Sequence, residues 1–589
     1  MKKLLVLAAA LAIAASCTTR YDIIIVGGGA GGTSAGVQAA RLGAHTLILE
    51  ESTWLGGMLT GAGVSAVDGN YNMRSGFFGE FCDSLAGRYG GYGPLMSGWV
   101  SNILFEPHVG NEIFKNIAAT QKKELDILYE VRATQFKRLS RGWKVSWTDS
   151  EGKAHKARAA ILVDATEMGD VAAEVGIPWD LGMDDKAVTG ERIAIDGGND
   201  IIQDITMVAT LKEYDHDVTI PRPEPYDSTL YVNCCINPLN DERVVEKPGG
   251  GYEIAATHQG LHTPETMLTY GRLPGGKKFM INWPIEGNDI YMDLVTASPQ
   301  RRQELLDSAR NLTLGFVYFM QTSLGMNHLG LADDEYPTPD LLPFIPYHRE
   351  SRRIHGVVRF TMDEAENPYI DNQYRTGIAV GDYPVDHHHH RHPNWPGLPR
   401  LAFYPIPSYN VPMGVVIPEG EKDILVCEKS VSVTNLINGA TRLQPVVVQL
   451  GQATGVIAAL AALNYGGDVT AVPVREVQKV LLDGGGYIMP YRDLPKDSPD
   501  FGILQRIGAT GIMRGVGKPY QWANQTWFRA DEPVLSEEVF LEDYFPGESI
   551  ESLGLPAPDG VLTRLEMARA IDSLLKPFDR PVGYHGELL

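Results

Sequence analysis

Cysteine is scarce in this chain, which has five cysteines in 589 residues and no Cys-x-x-Cys spacing. Without that spacing the sequence indicates neither a zinc ribbon nor a thioredoxin-type redox pair. Beyond Cys17 the cysteines are Cys82, Cys234, Cys235 and Cys427. We expect buried thiols at these scattered positions, and the adjacent pair leaves a vicinal disulfide open.

Positive charge is also in short supply. Lysine and arginine together number 51 against 73 aspartates and glutamates, and the formal net charge is -22. A nucleic-acid surface needs clustered lysine and arginine to neutralise phosphates. We therefore expect no nucleic-acid partner.

Long hydrophobic runs are missing beyond the start of the chain. Residues 4–15 are apolar, follow Lys2 and Lys3, and precede small residues before Cys17, which is the pattern of a secretory signal. The run is too short to span a bilayer, and we expect no later segment to approach the roughly 20 apolar residues that a span needs.

Residues 1–17 are predicted to be a lipoprotein-type signal peptide. Cys17 directly follows Ala14, Ala15 and Ser16, which resembles a bacterial lipobox, although Ala14 stands where that pattern prefers leucine. A plain cleaved signal is the alternative. The predicted location is the cell envelope, as an exported lipoprotein facing the periplasm that meets the membrane only through a lipid anchor at Cys17.

A glycine fingerprint follows the signal. A short apolar strand leads into Gly27, Gly29 and Gly32, spaced as G-x-G-x-x-G, before a helical segment and a second strand that ends at Glu50. The first glycine permits a tight turn, the second lets a pyrophosphate approach, and the third lets the helix pack on the strand. The helix N-terminus faces the phosphates, and the acidic residue can hold ribose hydroxyls. The pattern predicts a dinucleotide site.

Two further glycine-containing segments favour FAD over NAD. Residues 55–63 form a second glycine-rich loop, and residues 439–463 contain Gly451 and Gly455 in an apolar helix. A single nucleotide half needs one such site, whereas FAD needs several along its length. No second G-x-G-x-x-G follows a strand, which weighs against a built-in NAD(P)H domain. We predict FAD that is bound tightly and without a covalent bond.

These motifs resemble a known family, the FAD-dependent oxidoreductases that include the xanthan lyase-like and golvesin-associated flavoproteins and are related to the fumarate reductase flavoprotein group. The resemblance covers about four-fifths of the chain in family order. The matching pieces are GGGAGGTSAG (27–36), LGGMLTGAG (55–63), FEPHV (105–109), VDATEMGDVAAEVG (163–176), RESRRIHG (349–356), GDYPVDHHH (381–389) and the R-x-x-P…GQATG…AA run from Arg442.

The resemblance also implies where the cofactor is held. One position departs from the broader superfamily, because Glu167 stands where an A-T-G motif has glycine. The implied contacts are Gly27, Gly29 and Gly32 with the pyrophosphate, Glu50 with the adenosine ribose, Gly56, Gly57 and Thr60 with the ribityl and isoalloxazine portion, Ala165, Thr166 and Asp170 where the chain returns to the cofactor, and Gln452 and Ala453 at the flavin end.

The predicted fold class is α/β, and 589 residues exceed what one core usually supports. Residues 21–170 and 376–480 are predicted to form a Rossmann-like FAD-binding domain, with an inserted α+β substrate domain at residues 171–375. Residues 490–589 are predicted to be a small helical C-terminal region that loosely resembles an S-layer homology repeat. A glycan-contacting appendage and a cap packed on the body both remain open for this region, and we favour the cap.

Hydride transfer to a flavin requires orienting groups and a base near the ring. Arg349 and Arg352 are candidates for holding a carboxylate or hydroxyls through their guanidinium groups. Structural ion pairs are the alternative for at least two of the three arginines that include Arg353. Asp386 and His388, in the D-x-H position of the family, are candidates for the acid/base pair.

Residues 381–393 hold five of the fifteen histidines of the chain. A pocket wall, a solvated loop and a metal site are three interpretations of this run. Adjacent histidines in an extended segment point to opposite faces and do not converge on one ion. The pocket is therefore favoured, and no metal is predicted.

The sequence as a whole predicts an FAD-dependent oxidoreductase. It would transfer a hydride between the flavin and a small organic substrate, with a carbohydrate or carbohydrate-derived acid as the leading candidate, and pass electrons to an unknown acceptor. The alternative is a lipid-tethered glycan-binding protein whose flavin fold is retained but catalytically idle.

Overall fold

The computed structural model describes residues 19–589 apart from 233, 235–239, 247–251, 259–263, 400, 402, 521 and 522. The predicted signal peptide, its Cys17 and the residue Cys235 lie outside the described residues. The lipid anchor and the vicinal disulfide therefore stay predictions.

Helices occur along the whole described chain, and the longest lie in its middle part. In chain order they are α1 (Ala30–Arg41), α2 (Gly76–Tyr89), α3 (Pro107–Ala119), α4 (Asp170–Glu174), α5 (Lys186–Thr189), α6 (Pro264–Tyr270), α7 (Ile285–Asn288), α8 (Pro299–Ser323), α9 (Met362–Glu366), α10 (Asn435–Thr441), α11 (Gln444–Asn464), α12 (Val474–Asp483), α13 (Phe501–Thr510) and α14 (Arg564–Leu575).

The strands form one large sheet and several small ones. In chain order they are β1 (Thr19–Val26), β2 (Thr46–Leu49), β3 (Leu125–Leu128), β4 (Arg132–Arg138), β5 (Trp143–Thr148), β6 (Ala154–Asp164), β7 (Trp179–Asp180), β8 (Ile205–Thr206), β9 (Ala209–Glu213), β10 (Asn240–Glu246), β11 (Tyr252–His258), β12 (Lys278–Ile281), β13 (Asp289–Ile290), β14 (Leu329–Leu331), β15 (Arg353–Ile354), β16 (Gly377–Gly381), β17 (Tyr409–Pro412), β18 (Ile424–Val426), β19 (Val516–Lys518) and β20 (Gln525–Trp527).

The large sheet has the order β3-β2-β1-β6-β5-β4, and β18 also pairs with β6. β1 pairs in parallel with β2 and β6, and β18 is parallel to β6. The carboxyl ends of β1, β6 and β18 therefore meet at one edge, which is where open α/β sheets bind ligands. The predicted α/β fold with a Rossmann-like core is confirmed.

Two parallel helices cover the cofactor side of this sheet. A Cβ added at Gly451 of α11 would lie 2.2 Å from the carbonyl oxygen of Gly31, and one at Gly455 would lie 2.3 Å from that of Ala35. The equal spacing of four residues means that α11 runs in the same direction as α1. Glycine is needed at both positions because the helix backbones touch.

Helix α11 also corrects one expectation from the sequence. It is 21 residues long with a mean hydropathy of 1.8 and is by length and composition able to cross a membrane. Of the residues in its most apolar stretch, 89% are buried within the protein. A later segment therefore does reach the length of a span, and here it forms the core helix against α1.

The inserted region has a hydrophobic core of its own. Strand β9 lies between β12 and β14 in an antiparallel sheet, and α8 packs against it through residues such as Phe316 and Met320. Arg302 of α8 pairs with Asp170 at 2.8 Å and so attaches this region to the end of β6.

The C-terminal region shares the main hydrophobic core. Leu504, Ile507 and Ile571 are buried in the same cluster as the residues of α11. The Arg375 side chain donates to the carbonyl oxygens of Thr510 and Gly586. The region is a cap packed on the body, and besides α13 and α14 it contains the antiparallel pair β19–β20, so it is not purely helical. The resemblance to an S-layer repeat stays a prediction.

Candidate functional site

The glycine turn after β1 leaves no space for side chains. A Cβ at Gly27, whose φ is +105°, would lie 2.2 Å from the Ala165 carbonyl oxygen, and one at Gly32 would lie 2.0 Å from that of Gly27. These are the turn and the helix–strand contact that the first and third fingerprint glycines provide. The turn thus has the form of a phosphate-binding loop.

Glu50 lies against this turn from the end of β2. One carboxylate oxygen accepts the Gly28 N–H at 2.7 Å, and the other accepts the backbone N–H and hydroxyl of Ser52. Burial raises the pKa of Glu50, although these hydrogen bonds oppose the rise. The structure places the carboxylate where the sequence predicts it, and its contact with a ribose stays a prediction.

The second glycine loop packs directly on the first. A Cβ at Gly57 would lie 2.9 Å from the Gly29 Cα, so the two loops form one continuous wall. Gly56 lies beside it, and the Thr60 hydroxyl donates to the Leu55 carbonyl within the loop. The Gly56 N–H donates to the Gly28 carbonyl at 2.9 Å and the Thr60 N–H to that of Gly57 at 3.1 Å, so contact of this loop with the cofactor stays a prediction.

The segment after β6 lies at the same edge, but protein groups hold its side chains. Thr166 donates its N–H and its hydroxyl to Asp164 at 2.9 and 2.7 Å. Asp170 accepts from Arg302 and Arg352, and these guanidinium groups outweigh burial and lower its pKa. Thr166 and Asp170 therefore shape the edge of the sheet, and direct contact with the cofactor stays a prediction.

A carboxylate that the sequence analysis missed occupies the anion position of the turn. Glu428 follows β18, has φ of +61° and is 1% exposed. Its Oε1 accepts the N–H groups of Gly31 at 2.6 Å and Gly32 at 3.3 Å. Unpaired N–H groups at a helix N-terminus are the donors that a phosphate uses. In this conformation Glu428 occupies donors of the kind that a phosphate uses.

Two more charged groups surround Glu428. Lys429 is buried and pairs with Glu167, and the two glutamates together raise its pKa against the effect of burial. Burial and the Glu167 carboxylate raise the pKa of Glu428. Within the described part of the chain, Glu167 Oε1 and Glu428 Oε2 accept no hydrogen bond. The cluster holds two carboxylates against one ammonium.

These residues fit a flavin dinucleotide with one reservation built into the chain. The turn, Glu50 and the second loop line one groove at the edge of the sheet. Two carboxylates stand at it, because a Cβ at Gly29 would lie 2.6 Å from Glu428 Oε1 and one at Gly57 would lie 2.5 Å from Glu167 Oε1.

The start of α11 marks the opposite end of the groove. Gly31 lies between Val447 and Gly451 of α11, so α11 extends about one turn beyond the start of α1. Gln452 accepts the Phe77 N–H and donates to Gln38, and Ala453 is fully buried.

Gln452 and Ala453 thus pack among helices, level with the first half of α1, because Gly451 lies against Gly31 and Gly455 against Ala35. Their contact with the flavin end stays a prediction.

The two residues of the predicted acid/base pair contact each other, and we propose their surroundings as the ring end of the cofactor site. His388 Nε2 lies 2.8 Å from Asp386 Oδ2. Arg442, between α10 and α11, donates to the Asp386 carbonyl oxygen at 3.0 Å and to the Tyr347 hydroxyl at 2.6 Å. Arg442 therefore connects the pair to the start of α11. Arg442 starts a motif in the sequence, but that motif predicts no role for its side chain.

Neighbouring positive charges keep Asp386 ionised, and burial gives the nearby Asp68 a pKa near neutrality. Burial favours protonation of Asp386, but His388, Arg442 and Arg349 outweigh it and hold its pKa well below the usual range. Burial and the nearby Asp386 carboxylate raise the pKa of Asp68 to about 7, against the opposing effect of Arg442. Asp68, also missed from the sequence, is thus an acid that titrates beside the pair.

Several buried polar atoms near the pair accept or donate no hydrogen bond within the described residues. They are His388 Nδ1, Gln203 Nε2, Asp204 Oδ1 and Gln444 Oε1. Gln203 and Asp204 contact the histidine segment, because Gln203 accepts the His388 N–H and the Asp204 N–H donates to the His388 carbonyl. Buried polar groups are nearly always paired, so such a group of unpaired atoms indicates a place for a polar ligand.

Arg349 and Arg352 are held by the protein itself. Arg349 donates to the Asp204 carbonyl at 2.7 Å and the Thr206 hydroxyl at 3.0 Å, and it lies 3.4 Å from Asp289. Arg352 donates to Asp170 and to the carbonyl oxygens of Met168 and Val295.

These contacts favour the alternative of structural ion pairs, and a role of either arginine in holding substrate stays a prediction. Their terminal nitrogens are used in joining the inserted region to the sheet.

The other buried histidines of the run are structural. Burial lowers the pKa of His387 to about 4 and that of His389 well below its usual value. Their rings contact each other, and each ring hydrogen-bonds a backbone carbonyl, at Leu436 and Ile202 respectively. Among the described residues, no three His, Cys, Asp or Glu side chains are placed to share a metal ion.

The parallel strands of the large sheet carry a phosphate-type glycine turn at their carboxyl edge, which is the form of a dinucleotide-binding protein. An Asp386–His388 pair is linked through Arg442 to the start of α11. The sequence pattern of the FAD dependent oxidoreductases matches residues 22–481. The chain belongs to that family, and its cofactor is FAD. No curated protein matches the chain.

Solved structures that resemble the chain are distant flavoproteins. The p-nitrophenol 4-monooxygenase PnpA from Pseudomonas putida is 11% identical with a TM-score of 0.31, over 79% of this chain and 84% of that one. The anhydrotetracycline hydroxylase OxyS from Streptomyces rimosus is 12% identical with a TM-score of 0.32, over 79% and 66%. The L-proline dehydrogenase from P. horikoshii is 14% identical with a TM-score of 0.18, over 28% of this chain and only 25% of that one. At this distance they say nothing about the substrate.

Proposed function

We propose that this protein transfers a hydride between FAD and a small polar organic molecule, with His388 as the base. The observation that carries this proposal is the Asp386–His388 pair, fixed by Arg442 at the start of α11. When bound, FAD supplies the acceptor or donor of the hydride. The residues of the chain hold the substrate and move the accompanying proton.

The geometry of the pair assigns the role of each nitrogen of His388. Nε2 faces the ionised Asp386, so this nitrogen carries the proton and donates it in the hydrogen bond. Nδ1 then has a free electron pair, and it is the buried atom without a partner among the described residues. Substrate oxidation would deliver its proton to Nδ1, and the carboxylate would stabilise the resulting imidazolium.

The unpaired polar groups support a substrate with several hydroxyl or carboxyl groups. Gln203 offers an amide N–H, Asp204 a carboxyl oxygen and Gln444 an amide oxygen, which is the mixture of donors and acceptors that hydroxyls require. We propose a carbohydrate or a carbohydrate-derived acid. The sequence resemblance to the xanthan lyase-like flavoproteins supports this choice.

Rapid mixing of FAD-loaded protein with candidate sugars and sugar acids tests the proposal through bleaching of the flavin absorbance. We expect His388→Ala to slow the bleaching by about a hundred- to ten-thousand-fold while FAD content stays unchanged. His392→Ala removes a histidine of the same run outside the pair and serves as the matched control. A His388→Ala variant that reacts at the wild-type rate would rule out His388 as the base.

A second function is favoured by one observation, the carboxylate on the anion position. If Glu428 excludes the cofactor entirely, the protein would be a glycan-binding protein with an idle flavin fold. Protein that takes up no FAD but binds an oligosaccharide in calorimetry would favour this alternative.

We also propose export and a lipid anchor at Cys17, from the sequence of residues 1–17. Small residues directly before the cysteine support lipid attachment there. Expression of Cys17→Ser should move the protein from the membrane fraction to the soluble fraction. Wild-type protein that is already soluble would favour the plain cleaved signal.

A further inference from the structure

We infer that Glu428 is an internal cap on the pyrophosphate site, and that FAD binds this protein only by displacing it. The cap concerns cofactor loading and is independent of the substrate proposed above. With this cap we expect FAD that exchanges with solution, in place of the tightly bound FAD expected from the sequence.

The Glu428 carboxylate and a pyrophosphate need the same N–H donors of α1. Glu428 Oε1 lies 2.6 Å from the Gly31 nitrogen and 3.3 Å from the Gly32 nitrogen. A Cβ at Gly29 would lie 2.6 Å from this oxygen, so the carboxylate fills the space that the second fingerprint glycine leaves for a phosphate. Both anions cannot occupy that space together.

The backbone holds Glu428 in a conformation that costs energy. Its φ of +61° lies in the left-handed region, which residues with a side chain rarely adopt. Such a conformation persists where surrounding contacts compensate for it. Here two N–H donors of α1 provide the compensation. Rotation of the side chain away from α1 removes these two hydrogen bonds, so the cap is held by the same donors that FAD needs.

Negative charges outnumber positive ones around Glu428. Glu167 faces Glu428 from the segment after β6, Lys429 and the Cys427 thiol lie on the same element as Glu428, and the N-terminus of α1 faces it from the other side. Burial lowers the pKa of the nearby His348 to about 3, so that ring adds no positive charge. One ammonium therefore balances two carboxylates before a pyrophosphate adds its own negative charge. Like charges in a buried site repel strongly.

Protonation of the cap follows from this balance. Burial and Glu167 raise the pKa of Glu428, and a bound pyrophosphate would raise it further. FAD binding then takes up protons, and by linkage its affinity increases as the pH falls through the raised pKa. A neutral carboxyl group is also a weaker partner for the donors of α1 than a carboxylate.

The test is a titration of cofactor-free, full-length protein with FAD, followed by quenching of flavin fluorescence at about pH 6 and about pH 8. We expect Glu428→Gly to bind FAD about tenfold or more tightly than the wild type at the higher pH, because it removes both the competing charge and the strained side chain. Glu428→Gln keeps the size of the side chain, and we expect it to bind with a smaller gain and a weaker dependence on pH.

Glu130→Gly is the matched control. Glu130 also has a left-handed φ, of +54°, but is exposed in the turn before β4. Its replacement relieves the same backbone strain without touching the cap, so we expect no change in FAD affinity.

Inorganic pyrophosphate provides a second measurement that needs no flavin. We expect it to raise the melting temperature of Glu428→Gly and not that of the wild type. The inference is overturned if Glu428→Gly binds FAD equally or less tightly, if neither protein binds FAD, or if wild-type affinity is independent of pH. All of these results are obtained without substrate, so the proposal for His388 is tested separately.

Discussion

The two ends of the cofactor groove are built by different means. The phosphate end consists of backbone: glycine turns at Gly27 and Gly57 and the N–H groups of α1. The ring end consists of side chains, with Asp386, His388 and Arg442 brought together from separate segments. A motif of backbone geometry leaves a mark in the sequence, whereas converging side chains leave little.

The two ends also differ in how charge is balanced. At the ring end the Asp386 carboxylate has both His388 and Arg442 beside it, and its pKa is lowered. At the phosphate end Glu428 shares Lys429 with a second carboxylate, and its pKa is raised. The charge at the ring end suits the proton transfer that we propose, and the charge at the phosphate end suits the proposed exchange of one anion for another.

The largest effect should come from filling the contact between the two helices of the phosphate end. A Cβ at Gly451 would lie 2.2 Å from a backbone oxygen that cannot move independently. We expect Gly451→Val to lower the free energy of unfolding by about 4 kcal/mol or more in urea denaturation. Gly87→Val on α2, where a Cβ meets nothing within 4 Å, is the control and should be nearly neutral. Equal stability of the two variants would contradict the close packing of α1 and α11.

The next effect should come from breaking the ion pair of the ring end. Arg442 is 2% exposed at its side chain and lies 3.4 Å from Asp386. We expect Arg442→Gln to lower the free energy of unfolding by about 3 kcal/mol, because it leaves a buried carboxylate with less positive charge. FAD affinity should be unchanged, since the phosphate end is intact. A loss of FAD affinity as large as the loss of stability would show that the two ends are not separate.

A smaller effect concerns Asp68, whose pKa rises from 3.8 to about 7 on folding. A carboxyl group with a raised folded pKa contributes stability at low pH that is lost as the pH rises from about 4 to about 7. We expect Asp68→Asn to remove this part of the decline, so that its advantage in melting temperature over the wild type grows across that window. A difference that does not depend on pH would mean that Asp68 is ionised throughout.

The smallest effect should come from a surface ion pair at the C-terminal end of α1, away from the phosphate end. Arg41 at the end of α1 lies 2.8 Å from Glu80, and both side chains are substantially exposed. We expect Arg41→Ala to lower the free energy of unfolding by less than about 1 kcal/mol and to leave FAD affinity unchanged. A larger loss would show that charge on this helix matters beyond its N-terminus.

Particular residues show how far sequence reasoning extends. The turn at Gly27, the helix that ends before Gly43 and the acid at Glu50 all follow from short local patterns, and the structure has each of them in place. The pairing of Asp386 with His388 was also predicted, because the two residues are only two positions apart. Arg349 and Arg352 were assigned to substrate, since their ion-pair partners lie far away in the chain.

The sequence by itself determined the α/β sheet and the phosphate turn, because backbone conformation and hydrophobic spacing depend on neighbouring residues. Only the tertiary structure decided what stands in that turn, since Gly31 and Glu428 are 397 positions apart. It likewise decided that α11 begins beyond α1 and that Arg442 at its start contacts Asp386. Contacts between distant segments depend on how whole helices and strands pack, and no local pattern specifies them.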